Sequence, residues 1–318
     1  MRPGSLWEAA MALLNFRRRE TTTPANGQVE AFLEGYSIEV MPRTAEKVED
    51  FRELLPRGTR VYIAHIEGTP IEDMVATAKR LSREGYPVMP HFPARIIKDA
   101  ATLRDWIARY QGEAGVEQAL LLAGGVATPH GDFHSSMQLL ESGEFGKAGF
   151  KRLHVAGHPE GNRDIDPDGG MKNVEDALHW KQKFSETTDA EMALATQFAF
   201  EAGPIVKWAE GLRAAGIRLP IHIGIAGPAK LQTLIKFAIA CGVGPSLKVL
   251  QKRAMDVSKL LLPYEPTEVL TALAAHKADN PESLIERVHF FPLGGIKANA
   301  QWAIDNGGAS GVPASKQG

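Results

Sequence analysis

A (β/α)8 barrel is the fold class this sequence predicts, and three observations carry it. Eight short apolar runs recur along the chain, amphipathic helical stretches separate most of them, and several runs end in a residue suited to proton transfer or hydrogen bonding. The runs cover 37–41, 60–65, 87–91, 118–122, 151–155, 194–200, 221–225 and 288–292. Each is dense in apolar residues, as in a parallel sheet covered on both faces. An open doubly wound sheet is the rival, but it should carry a glycine-rich fingerprint after its first strand. Met41-Pro42-Arg43-Thr44-Ala45 is nothing like G-x-G-x-x-G.

The elements between the strands read as helices for specific reasons. Thr69-Pro70-Ile71-Glu72 combines an N-cap, a proline at the first helical position and a capping-box glutamate; Ile71, Met74, Val75 and Ala78 then form one apolar stripe. Leu103, Trp106, Ile107 and Tyr110 repeat the stripe in the next unit. Leu231, Leu234, Ile235 and Ala238 do so after Gly227-Pro228, with Gly242 suited to the C-terminal cap. Two connections are longer. The stretch 156–173, rich in Gly, Asp and His, should face the active site, while 245–262 and 266–280 read as extra helices between strands seven and eight.

Residues 1–28 read as an amphipathic N-terminal helix and linker, 29–306 as the barrel, and 307–318 as a flexible tail. In the first segment Glu8 interrupts the apolar stretch and Arg17-Arg18-Arg19 follow it, the reverse of a secretory signal; a membrane-surface helix is the alternative. No run reaches the roughly 20 apolar residues that span a bilayer. The 36 basic and 38 acidic residues nearly cancel, which points away from nucleic acid and toward a small-molecule partner. A single cysteine, Cys241, excludes an intrachain disulfide and fits a reducing, cytoplasmic setting; a homo-oligomer is left open.

In a barrel, polar strand ends share one mouth however distant they are in sequence. Glu39 is the most informative, because a carboxylate among Ile38, Val40 and Met41 is costly to ionise; its pKa is expected to rise, making it a general acid near neutral pH. A glutamate paired with a buried cation, or facing solvent, is the alternative. His65, His91 and His158 close strands two, three and five, where a ligand contact and a backbone-bonded imidazole are comparable readings. Gln197 offers a donor and an acceptor to a heterocyclic amide. His130-Gly131-Asp132-Phe133-His134 lacks a third ligand and a helix to hold it, so no metal is expected. Gly224, Gly227, Gly294 and Gly295 could hold a phosphate, or serve turns and caps.

Taken together, these segments resemble the methylenetetrahydrofolate reductases. Residues 36–42 resemble the family's first-strand Glu segment, Pro90-His91-Phe92 its Pro-His-Leu/Phe strand end, and Gly157-His158-Pro159-Glu160 its His-Pro-Glu loop. Thr196-Gln197-Phe198-Ala199-Phe200 resembles its Thr-Gln-Phe-Phe-Phe strand, and His289-Phe290-Phe291-Pro292-Leu293 its last strand. The resemblance implies a barrel that binds FAD and reduces 5,10-methylenetetrahydrofolate to 5-methyltetrahydrofolate with electrons from NADH or NADPH. It implies Glu39 as the acid, Gln197, Phe198 and Phe291 as folate contacts, and His65, His91, Gly124, His158, Asp176 and Lys183 as FAD contacts. The chain departs from the pattern at Ala123-Gly124-Gly125, where the family usually has Arg-Gly-Asp. It departs again at His179, Gln182 and Leu231, where asparagine, arginine and phenylalanine are common. A flavin-free or redox-inactive folate-binding barrel is one alternative. A phosphate-binding aldolase or isomerase is another, although none of the eight runs ends in the lysine a Schiff base would need.

Overall fold

The computed structural model describes residues 25–242, 244–255 and 262–309. Eight parallel strands close into a barrel in sequential order: β1 (Ser37–Val40), β2 (Arg60–Ile63), β3 (Val88–Pro93), β4 (Gln118–Leu122), β5 (Arg152–Gly157), β6 (Glu191–Ala199), β7 (Ile221–Ala226) and β8 (Ile285–Phe291). β1 pairs with β8 through Ser37 opposite His289 and Ile38 opposite Phe290, which completes the ring. This is the (β/α)8 barrel expected from the sequence, and each predicted run overlaps an observed strand.

Strand pleat sorts the side chains into two layers. Ile38, Val61, Ile63, Val88, Leu121, Leu153, Val155, Leu194, Ile223, Val288 and Phe290 face outward and are buried in the main core beneath the helices. Residues of opposite parity line the lumen, where Tyr62, Met89, Leu120 and Ala195 form a small apolar plug. Helices cover the outside, among them α1 (Ala25–Leu33), α2 (Ile71–Arg83), α3 (Ala100–Ala114), α4 (Lys172–Ser185) and α5 (Ala202–Ala214). The β7–β8 connection adds α6 (Leu231–Ala240), α7 (Gly244–Ala254) and α8 (Thr267–Asp279), matching the expected extra helices, and α9 (Ile296–Asp305) follows β8.

Two boundaries differ from the sequence reading. α1 begins at Ala25, inside the expected linker, and packs against α8 and β8, so the barrel's covering layer starts before residue 29. The expected amphipathic helix at 1–19 lies outside the described residues. α2 begins at Ile71 with Pro70, not Thr69, at its N-cap and so has no side-chain cap, while the Thr69 carbonyl meets His65 Nε2 at 3.0 Å.

At the C-terminal end of β6 the register with β7 shifts between Ala195 and Phe198, so Thr196 and Gln197 form a bulge. Thr196 Oγ1 accepts from Gly224 N at 2.9 Å and donates to the Gln197 carbonyl at 2.9 Å. The bulge requires glycine opposite it, since a Cβ at Gly224 would stand 2.5 Å from the carbonyl oxygens of both Thr196 and Gln197. Gly224→Ala is expected to destabilise the protein by about 1–3 kcal/mol through backbone overpacking, measured by denaturant unfolding. An unchanged midpoint would show that the bulge tolerates a Cβ.

Candidate functional site

The lumen is the unusual part of this barrel, because polar residues occupy positions that bulky aliphatics dominate in most such folds. Glu39 projects from β1 between two imidazoles: Oε2 lies 3.3 Å from His91 Nε2 on β3 and 3.8 Å from His289 Nε2 on β8. Its side chain is only 19% exposed. Burial alone would push the carboxyl up, but hydrogen bonding from His289 and His91, with their electrostatic attraction, outweighs it and holds the pKa at about 2. The expectation of a raised pKa is therefore corrected. The sequence neighbours of Glu39 are apolar but face outward, whereas the carboxylate meets histidines from strands distant in sequence.

His289 is placed by two further contacts. Its Nδ1 lies 2.9 Å from Ser37 Oγ, and its ring sits 4.3 Å, centroid to centroid, from that of Tyr62. Tyr62 Oη lies 2.6 Å from His154 Nδ1, and the His154 and His222 rings meet edge to face at 4.6 Å. His222 Nε2 lies 3.3 Å from Glu286 Oε2 near the N-terminal end of β8. Burial is the chief cause that lowers the pKa of His154, His222 and His289, which favours neutral rings. Below this layer, Arg60 Nε donates to Gln118 Oε1 at 2.7 Å and Arg152 pairs with Glu191.

The sequence reading did not single out Tyr62, His154, His222 or His289 for chemistry, because it looked at strand ends and these lie within strands. Their signal was period two: Ser37 and Glu39, Arg60 and Tyr62, Arg152 and His154, and Arg287 and His289 each alternate with apolar residues.

Above the Glu39 cluster the mouth is aromatic on the β6–β8 side. Phe291 lies 4.9 Å from His289 and 5.5 Å from Phe198, both edge to face, and Phe198 continues to Phe200 and Tyr264 under α6 and α7. The structure thus brings together Glu39, His91, Phe198 and Phe291. Gln197 is exposed on the β6 bulge at the same end of the barrel.

The other candidates are placed differently. His65 stacks near Trp106 at 4.8 Å and its Nε2 meets the Thr69 carbonyl, so it braces the β2–α2 loop against α3. Gly124 has φ +96 and passes close to Pro93, where a Cβ would stand 3.0 Å from the proline side chain. His158 is partly buried beside Lys181, and burial first, then that ammonium, pushes its pKa down to about 4. Asp176 and Lys183 sit on the exposed face of α4, with Asp176 paired to Lys172 at 2.7 Å. The buried cation of that helix is Lys181, whose Nζ donates to the Ala156 carbonyl at 2.8 Å and whose pKa burial pushes down to about 8. Arg95 Nη2 reaches Asp164 at 2.7 Å, tying the β3 and β5 loops together. Gly227 and Gly294 serve close packing, since a Cβ would collide with Asn299 at the first and with the Pro228 carbonyl at the second.

A scan against protein-family models finds none that matches this chain. Among solved structures, an uncharacterised protein from Clostridium thermocellum that binds two copies of 5-methyl-5,6,7,8-tetrahydrofolic acid superposes with a TM-score of 0.53. It is 12% identical, and the match covers 88% of this chain and 98% of that one. A chitinase from Pseudoalteromonas aurantia matches 84% of this chain and 99% of its own, at 15% identity and a TM-score of 0.42. The first likeness is one of fold, and the second is too distant to argue from.

The buried imidazoles set a pH dependence of stability. The pKa values of His154, His222 and His289 are lowered in the folded state, so the unfolded chain binds more protons as pH falls below about 6.5. Their contribution is complete above that value and is lost below it, by up to about 1.4 kcal/mol per pH unit for each group. The melting temperature should therefore fall between pH 7.5 and 5.5, and His154→Gln should flatten that dependence. An equal slope in wild type and variant would contradict a neutral buried His154.

Proposed function

We propose that this barrel binds a reduced folate at its C-terminal mouth and reduces 5,10-methylenetetrahydrofolate to 5-methyltetrahydrofolate, with electrons from NADH or NADPH. The observation that carries the reading is the Glu39 carboxylate held by His91 and His289 beneath Phe291 and Phe198. Opening the methylene bridge needs a proton on the departing nitrogen and negative charge near the cationic iminium that results. A carboxylate with imidazole partners meets both needs: an imidazole edge holds the proton and the carboxylate offsets the cation. Glu39 thus acts as the anionic half of a proton-holding pair rather than as a lone carboxylic acid. The aromatic edges of Phe198 and Phe291 suit a flat pterin, and the exposed Gln197 amide suits its donor and acceptor edge. The folate bound by the Clostridium thermocellum barrel supports this ligand class.

FAD would supply the relay of hydride from nicotinamide to folate in such a reaction. The α4 residues implied for its ribose and diphosphate do not fit that role here. Asp176 is tied to Lys172, and the Gln182 amide donates to Glu186 at 3.2 Å and accepts from Arg218 N at 2.7 Å. These contacts favour a second reading in which the barrel handles folate without a stably bound flavin.

Two measurements test the proposal. Glu39→Gln should lower folate turnover by about 10² to 10⁴ while 5-methyltetrahydrofolate binding survives. Unchanged reduction in that variant removes Glu39 from the chemistry. An absorption spectrum of freshly purified protein separates the two readings: flavin bands place FAD in the enzyme, whereas their absence with folate-dependent oxidation of NAD(P)H selects the flavin-free reading.

A further inference from the structure

The groups beneath Glu39 form a succession of buried polar side chains, in part hydrogen-bonded to one another, that continues past the mouth to the opposite end of the barrel. We infer that Glu39, His289, Ser37, Tyr62, His154, His222 and Glu286 make a proton path along the barrel axis, connecting the buried carboxylate at the mouth with solvent at the N-terminal face. The role it serves at Glu39 rests on the folate reading above; the continuity of the path does not.

Each link has two sides, as a relay requires. His289 presents Nε2 to Glu39 at 3.8 Å and Nδ1 to Ser37 Oγ at 2.9 Å. Tyr62 lies beside the His289 ring, 4.3 Å away centroid to centroid. Tyr62 Oη meets His154 Nδ1 at 2.6 Å, and His222 Nε2 lies 3.3 Å from the Glu286 carboxylate. Two ring nitrogens remain between these pairs, His154 Nε2 and His222 Nδ1. Both, together with His222 Nε2 itself, are buried without a hydrogen-bond partner among the described residues, on rings whose centroids are 4.6 Å apart. Buried polar atoms are rarely left unpaired, so three of them clustered on two adjoining rings call for a reason. A ring rotation or one inserted water would close that gap.

The ends of the path are placed for exchange. Glu286 lies second in β8 with its side chain 45% exposed, and a cavity of about 700 Å³, lined in part by Tyr36, Arg57 and Arg287, opens at the same end. Ser37, Tyr62, His154, His222 and His289 are at most 1% exposed, so no other solvent reaches the middle of the chain. Neutral imidazoles and hydroxyls each hold one proton and accept another, so every link can gain one on one side and release one on the other. For each proton delivered to the Glu39 pair, Glu286 takes one from solvent. No charge is left between them, and the imidazole tautomers end reversed. A folate seated on Phe198 and Phe291 would cover the mouth, and the axial route would then resupply the proton that ring opening consumes.

Communication between the two ends is the direct test, read by nitrogen NMR of histidine-labelled full-length protein. Glu286→Gln should change the Nδ1 and Nε2 signals of His289, which it does not touch, and Glu39→Gln should change those of His222. In a Tyr62→Phe background, Glu286→Gln should no longer reach His289. Changes confined to His222 in Glu286→Gln, or coupling that persists without the Tyr62 hydroxyl, would overturn the path. Kinetically, Tyr62→Phe should lower kcat by about 10²-fold at unchanged KM, with recovery in added imidazole. Full turnover in that variant at wild-type folate binding would equally overturn it. Wild-type protein that binds no folate would sink the folate reading alone, leaving the NMR result to judge the path.

Discussion

The site depends on one electrostatic arrangement: a carboxylate buried at the centre of a closed barrel, made tolerable by two imidazoles from other strands. An isolated ionised carboxylate in an apolar interior would be prohibitively costly, and it would take up a proton instead. His91 and His289 reverse that outcome for Glu39 by bringing imidazole nitrogens to within 3.3 and 3.8 Å of the same oxygen. His289 could not do so in an open sheet, since β1 neighbours β8 only because the barrel closes. Closure and chemistry are therefore one constraint. Loss of the β1–β8 pairing would separate both Glu39 and Ser37 from His289.

A polar lumen carries a stability cost that the outer layer must offset. Buried histidines and a buried tyrosine stand where branched aliphatics would ordinarily contribute hydrophobic free energy, and several of their polar atoms are unpaired. The compensating layer is the outward face of the same strands, where Ile38, Ile63, Val155, Ile223 and Phe290 are fully buried against the helices. The division holds along the strands outside the β6 bulge and the start of β8. Residues of one parity pack with the helices and those of the other do chemistry or plug the barrel, so one peptide segment serves both purposes.

Much of this was legible in the sequence. The eight runs, the helix stripes and the extra helices before β8 are local patterns, and a parallel barrel expresses local patterns faithfully. Glu39 stood out because a charge within an apolar run is anomalous whatever surrounds it. Its ionisation state was not legible, because the groups that set it are 52 and 250 residues away and meet it only through closure. The inward histidines were legible in principle: once Glu39 is taken as inward, parity places Ser37 with it, and each other strand can be phased from its own alternation. Asp176 and Lys183 show the opposite limit. Similar residue types at similar positions on a helix do not fix which face it presents, and here α4 turns Val174, Leu178 and Lys181 inward.

Lys181 shows how far this chain has gone its own way. An ammonium buried beside β5 repels a proton on His158, and that repulsion adds to burial in keeping the imidazole neutral. A neutral His158 at the end of β5 can donate or accept a hydrogen bond but offers no charge to a phosphate. The β3–β5 side of the mouth is further occupied by the Arg95–Asp164 bridge, which engages the cation an anionic cofactor would otherwise meet. The β6–β8 side, by contrast, packs Phe291 against His289, with the buried Phe198 behind it. Apolar edges and a proton-bearing pair converge on one half of the mouth, while charge on the other half is internally satisfied. That asymmetry suits a flat, largely uncharged heterocycle better than a dinucleotide, so the folate half of the proposed chemistry has the firmer physical footing.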